Sequence, residues 1–198
     1  MARWAPGSGE RLQAAALELF DEQGYDRTTV SQIAQRAGVT DRTFFRHFAD
    51  KREALFAGSE RLQAVFTDAV AHSPATDPLG LAADALRAAA GFFPADRRPW
   101  ARRRAAVVEA HPALAEREQL KMVVLVNAVA AALRERGVPE PAASLLAHST
   151  ITVFQVAFGT WVADESGRTL GEVQQATLAA LRSTLGARPR GAPGGTGR

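Results

Sequence analysis

Gly38 stands four residues after Ala34 and six before Phe44, inside the stretch TTVSQIAQRAGVTDRTFFRHFADKREAL at positions 28–55. This spacing restricts the fold more than any other feature of the chain. Ala34 is small where two helices must cross closely, and Gly38 permits the left-handed backbone of a sharp turn. Phe44 then returns an apolar side chain to a shared core, which Val39 and Phe48 complete. Each flanking segment falls below the ~12–15 residues at which an isolated helix becomes marginally stable, so packing has to hold both. The spacing predicts two short helices joined by a tight turn and leaned against a third.

Local signals agree. Thr29 precedes Gln32 by three residues, the pattern of a capping box, and Val30, Ile33, Ala34 and Ala37 then face inward. Thr40 is placed to cap the helix predicted over 41–47. Asp50 and Glu53 repeat the box at the head of a long helix predicted to reach His72. Upstream, Leu12, Ala16, Leu19 and Phe20 form one stripe of a helix over 9–23, with Ser8 as N-cap and Gly24 just past its end.

The remainder also reads as helix: Ala, Leu, Arg, Glu and Gln dominate, and no stretch sustains the alternation of a strand. Further helices are expected over 79–93, 99–110, 112–136, 141–163 and 170–185. The fold class is all-α, with about nine helices. We expect a disordered arm at 1–8, a helix-turn-helix unit at 9–56 and a larger helical domain at 57–185. The Gly- and Pro-rich tail at 186–198 is expected to be disordered.

Several kinds of chemistry find no support. The chain has no cysteine, and its four histidines (47, 72, 111 and 148) lack paired metal-ligand spacing. There is no Gly-rich phosphate loop, and Glu109 and His111 do not share a helix face. We therefore expect no catalytic residue, metal or cofactor, and no enzyme. The first ten residues lack a secretory apolar core. The most apolar run, taken as 122–133, is short of the ~20 residues a membrane crossing needs. A soluble, cytoplasmic protein without a membrane partner is expected.

Charge points elsewhere. The formal net charge is +3, and between Thr28 and Arg52 the bases Arg36, Arg42, Arg46, Lys51 and Arg52 face only Asp41 and Asp50. A basic short helix with a free face fits the major groove of DNA, although a solvated surface shows the same count. That face would carry Thr40, Asp41, Arg42, Thr43, Arg46 and His47. Arg42 can pair with the edge of guanine, and Thr43 offers a hydroxyl and a methyl to thymine. His47, Lys51, Thr29 and the start of the 29–37 helix would meet phosphates.

The same stretch resembles the DNA-binding segment of the TetR family of bacterial one-component regulators. The likeness covers about residues 9–56 and is carried by Ile33, Ala34, Ala37, Gly38, Val39, Phe44, His47, Phe48 and Lys51. It implies base contacts from Thr40, Arg42 and Thr43 and phosphate contacts from Thr29, His47 and Lys51. Phe45 occupies the position where the family usually has tyrosine, so a phosphate-bonding hydroxyl is missing. Backbone affinity then rests more on Arg46, His47 and Lys51. The resemblance also implies a homodimer bound to double-stranded operator DNA, most often as a repressor released by a small molecule.

Residues 57–198 carry no motif of that specificity. Phe66, Phe93, Trp100, Phe154 and Phe158 could line an effector pocket or simply fill the core. The arginines at 97–104 could be a solvated face, or one of them, Arg103, could hold an acidic ligand head group. The segment RRRAAVVEAHPALAERE is similar to ones in TetR-like regulators with acyl-CoA-type ligand domains. The helix over 141–163 is apolar on all sides, so one side needs the core and the other a partner. With the helix over 170–185 it would form a four-helix dimer interface, unless a monomer buries it entirely. Two alternatives stay open: a DNA-binding regulator controlled by a protein partner, and a helical ligand carrier that no longer binds DNA.

Overall fold

Ten α-helices and one 3-10 turn make up the fold, with no strand among the described residues. The structure, a computed structural model, describes residues 7–186, so the expected arm and tail lie outside it except at their inner ends. The helices are α1 (Ser8–Gln23), α2 (Val30–Arg36), α3 (Asp41–His47), α4 (Lys51–Phe56) and α5 (Ser59–His72). They continue with α6 (Pro78–Phe92), α7 (Arg98–Glu109), α8 (Pro112–Glu135), α9 (Ala142–Ala163) and α10 (Leu170–Gly186). The stretch expected as one helix over 50–72 is interrupted at Ala57 and Gly58, whose φ of 101° lies in the left-handed region. Counted as one element, α4 and α5 restore the nine helices expected.

Caps explain most of the boundaries. Thr29 and Gln32 make both halves of the box at α2, and Thr40 accepts from the Thr43 N–H at α3. Gly38 has φ 68°, the turn conformation its position required. Two expectations are corrected. Ser8 is the first residue of α1 rather than its cap: the helix begins one residue earlier than expected, and Gly7, with ψ 159°, takes the N-cap position without a side-chain bond. Asp50 accepts from the Glu53 N–H, but the Glu53 carboxylate does not return to the cap. It pairs instead with Arg117 at 2.7 Å and Lys121 at 3.3 Å on α8, two cations that outcompete a neutral N–H.

Two cores result. The smaller joins Leu12, Leu17, Phe20, Ile33, Phe44, Leu55 and their neighbours from α1–α4, and it also takes in Val107, Val108 and Leu114 from α7 and α8. The larger fills the space among α5–α10 around Phe66, Phe154 and Trp161. Trp100 packs against both. α7 is therefore shared: Ala101 is buried in the larger core and Val107 and Val108, about two turns on, in the smaller.

α9 is the central helix, packed against α6, α7, α8 and α10. By length and composition it is also the helix among the described residues apolar enough to cross a bilayer, which the choice of 122–133 overlooked. Here its buried side, from Ala143 through Ile151, Phe154 and Trp161, forms the middle of the larger core.

Candidate nucleic-acid interface

α3 presents its outer face because Phe44 is fully buried beneath it. Phe48 also packs on the core, with its ring 5.5 Å from that of Phe44. Arg42, Phe45 and Arg46 project from the opposite side and are exposed. Their i, i+3, i+4 spacing places them on one face. α2 and α3 are clipped by Ser31, whose hydroxyl donates to the Asp41 carboxylate at 2.5 Å. That bond gives Asp41, an odd residue beside a polyanion, a place in the turn.

The charge count needs correction at the level of individual groups. Arg36 is held by Glu22 at 2.9 Å and Glu18 at 3.3 Å, and Arg52 by Asp50 at 2.9 Å. Hydrogen bonding to Arg36 in turn lowers the Glu22 carboxyl below its ordinary value. Lys51 was expected at a phosphate, yet its ammonium donates to the carbonyls of Tyr25 at 2.7 Å, Thr28 at 2.9 Å and Asp26 at 3.4 Å. It also lies 4.2 Å from the centre of the Tyr25 ring. With its three N–H bonds so directed, Lys51 anchors the α1–α2 loop. No hydrogen bond or ion pair within the described residues engages Arg42 or Arg46, which leaves these two as the open cations of the segment.

The remaining predicted contacts are partly committed. Thr29 and Thr40 use their hydroxyls as caps, and Thr43 lies 3.1 Å from Thr40 hydroxyl to hydroxyl. His47 Nε2 is 2.7 Å from Ser8 Oγ, and its Nδ1 lies 3.4 Å from where a side chain on Gly9 would begin. His47 thus seats the start of α1 against α3. Sequence reasoning missed Thr28, which is buried and donates to the Gly24 carbonyl at 2.9 Å, closing the loop that Lys51 anchors.

In the larger domain the structure gathers Phe66, Phe93, Phe154 and Phe158 into one aromatic cluster. Phe66 and Phe154 are 5.4 Å apart and Phe93 and Phe158 5.0 Å, with Trp161 as a further member 5.7 Å from Phe158. Trp100 and Arg103 do not join it. Trp100 sits between the two cores, and Arg103 reaches Asp21 of α1 at 3.1 Å. The arginine run is spread over several neighbours while Arg97, Arg102 and Arg103 keep an exposed surface. Arg98 and Arg102 donate to carbonyls at the C-terminal end of α9, Asp164 and Val162, where a helix favours cations. Arg104 binds Glu118 at 2.7 Å and the Leu55 carbonyl at 3.1 Å.

A cavity of about 510 Å³ lies elsewhere, between α5 and α8. Its apolar lining includes Leu62, Leu120, Val123, Val124 and Leu125, with Arg117 and Lys121 also on its wall. Leu120, Val123 and Val124 are half exposed, the pattern that period-based reading assigns to a surface rather than a site. Only the fold, by placing α5 beside α8, shows that they share a concavity.

Comparison with known proteins agrees with this architecture. Residues 12–57 match the family model of bacterial regulatory proteins, tetR family, and residues 76–186 match that of the MftR C-terminal domain. The HTH-type transcriptional regulator TcmR of Streptomyces glaucescens is 43% identical over 83 residues, which are 41% of this chain and 37% of that protein. The chain thus spans less than two fifths of the length of this curated relative. Among solved structures, a TetR-family regulator from Syntrophomonas wolfei superposes with a TM-score of 0.67 at 18% identity, covering 93% of this chain and 98% of that one. FadR of Thermus thermophilus, a TetR-family repressor in complex with lauroyl-CoA, gives a TM-score of 0.56 at 24% identity, covering 94% and 100%. A helix-turn-helix unit with an open basic face, a shared α7 and two family matches that together span most of the chain lead to one assignment: this protein belongs to the TetR family of transcriptional regulators.

Proposed function

We propose that the protein is a homodimeric, cytoplasmic repressor that occupies an inverted-repeat operator and leaves it when a small apolar ligand binds. The observation that carries this reading is the outer face of α3, where Arg42 and Arg46 stand free of internal partners on a helix fixed by caps and a buried Phe44. Arg42 and Thr43 are assigned to base edges. Thr40 is assigned to a base edge as well; Thr29, Arg46 and His47 are assigned to the backbone, and Lys51 is moved from direct contact to support of the loop before α2.

Dimerisation is proposed through α9 and α10. Their outward faces carry Leu145 at 65%, Val156 at 54% and Leu185 at 76% exposure, next to exposed small residues such as Gly159, Ala176 and Ala180 that let helices approach closely. A ligand site is proposed at the α5–α8 cavity, whose volume lies within the ~300–1,000 Å³ usual for small-molecule sites. A ligand entering there would press on Arg117 and Lys121, which hold Glu53 of α4. FadR, a protein of this fold, is described with lauroyl-CoA, a ligand with a long apolar chain.

The test is to select binding duplexes from a random pool, then measure affinity for the recovered and scrambled sites. The Arg42→Ala variant is expected to lose roughly 1–3 kcal/mol per half-site and to relax one base preference. Fatty acids and acyl-CoAs are then titrated into the complex. A coupling of about 2.7 kcal/mol corresponds to a hundredfold release. No selected site would leave the ligand-carrier alternative. A selected site that no ligand perturbs would favour control by a protein partner.

A further inference from the structure

We infer that Phe45 is an apolar base reader that contacts the 5-methyl group of one thymine in each operator half-site. This rests on the proposed docking of α3 in the major groove, and it assigns to Phe45 a contact different from the phosphate bond its position was expected to lack.

The argument begins with an anomaly of burial. Among the described residues of α1–α4, Phe45 is the one large apolar side chain left substantially exposed, at 57%. Its neighbours in sequence are placed inward: Phe44 is fully buried and Phe48 packs on the same core. The exposed ring is not loose. It meets Phe44 edge-on, with ring centres 5.5 Å apart and planes at 83°. Because Phe44 cannot move without opening the core, that contact sets where the Phe45 ring points.

Its surroundings define what it can recognise. Arg42 lies one turn before it and Arg46 directly after it, and neither is drawn away by an internal partner. A ring between two free guanidinium groups is set on an anionic surface. Yet the ring has no donor, and pressing it on a phosphate would desolvate the anion without a replacement bond. Polar base edges reject it for the same reason. One group on the floor of the major groove is apolar and specific to a base, the thymine 5-methyl. Arg42 and Arg46 can hold neighbouring polar groups while the ring covers that methyl, so the three side chains divide polar and apolar recognition along one helix face.

The experiment uses the full chain and the duplex recovered by selection. Each thymine of a half-site is replaced in turn by deoxyuridine, which removes the methyl and nothing else. Wild-type affinity is expected to fall about fourfold per half-site at one position, the size of one lost methyl contact. The effect should return when that base pair is changed to one carrying 5-methylcytosine on the same strand. Phe45→Ala is expected to bind less tightly and to be indifferent to the methyl, whereas Phe45→Tyr, which keeps the ring, retains the dependence. The salt dependence of Phe45→Ala should match wild type, because no phosphate contact is removed. A selected site at which no deoxyuridine substitution affects wild type more than Phe45→Ala overturns this inference and leaves the DNA-binding reading intact. A flat scan with altered self-association in Phe45→Ala would assign the ring to protein contact and also overturn it. Recovery of no site at all overturns both.

Discussion

Arg103 of α7 and Asp21 of α1 meet at 3.1 Å across the boundary between the two cores. The contact looks like the link between domains, but both side chains are about half exposed, and such pairs contribute only ~0.2–1 kcal/mol. The apolar contacts beside it are larger. Leu114 is fully buried in the DNA-binding core although it belongs to α8. Arg103→Ala should therefore lower stability by less than ~1 kcal/mol, and Leu114→Ala by ~2–5 kcal/mol. Denaturant titration followed by tryptophan fluorescence measures both, and equal losses would refute the apolar linkage.

Lys51 separates two models of its role. If it anchors the α1–α2 loop through three carbonyls, Lys51→Met should destabilise the protein by roughly 1.5–3 kcal/mol, typical of hydrogen bonds to a charged group. Operator affinity would fall on all sequences with an unchanged salt slope. A direct phosphate contact would instead flatten the slope by about two counterions per dimer with little loss of stability. We expect the first outcome, read from melting curves and affinities across a salt series.

Val156 is the preferred site for testing the dimer. Leu181 of α10 is an unsuitable target because it packs on the larger core, so a charge there would disturb folding as well. Val156 is 54% exposed at the middle of the outward face of α9. Val156→Glu should yield folded monomers in sedimentation at micromolar concentration, with weak operator binding. A monomeric wild-type protein would refute the interface.

Asp164 gives a pH dependence with a defined sign. Hydrogen bonding from Arg168 is the main cause lowering its carboxyl from 3.8 to about 2; partial burial opposes the shift, and the Ser166 hydroxyl reinforces it. A carboxyl lowered on folding stabilises the protein above its unfolded value and loses that contribution as pH falls through the folded value. The α9–α10 loop should therefore loosen between about pH 4 and pH 2. Asp164→Asn should be less stable at neutral pH and lack that segment of the acid transition. Circular dichroism melts across the window test this.

Legibility in the sequence followed the range of the interactions. The caps at Thr29 and Thr40, the turn at Gly38 and the inward set Ile33, Ala34 and Phe44 depend on neighbours within a few residues, and they were readable. Phe66, Phe93, Phe154 and Phe158 come together as packed rings of the larger core, the simpler of the two readings their sequence positions allowed, because large aromatics on converging helices meet there. Arg103 and Lys51 were misplaced for one reason. A long cationic side chain selects among partners that only tertiary structure brings close, here Asp21 at a separation of 82 residues and carbonyls 23–26 residues away. The cavity between α5 and α8 was hidden because half-exposed valines on one helix show no sign of the neighbour opposite.

The presence of Val107, Val108 and Leu114 in the smaller core bears on how such regulators can be rebuilt. A chimera cut after α4, at Ala57 where the helix breaks, would carry an apolar socket on the surface of the transplanted segment. Grafted onto a foreign sensor, that segment would fold poorly or stick to other chains unless the incoming α7–α8 corner supplied matching side chains. A portable unit would consist of residues 8–57 together with the corner at 107–114, two pieces of chain distant in sequence that share one core.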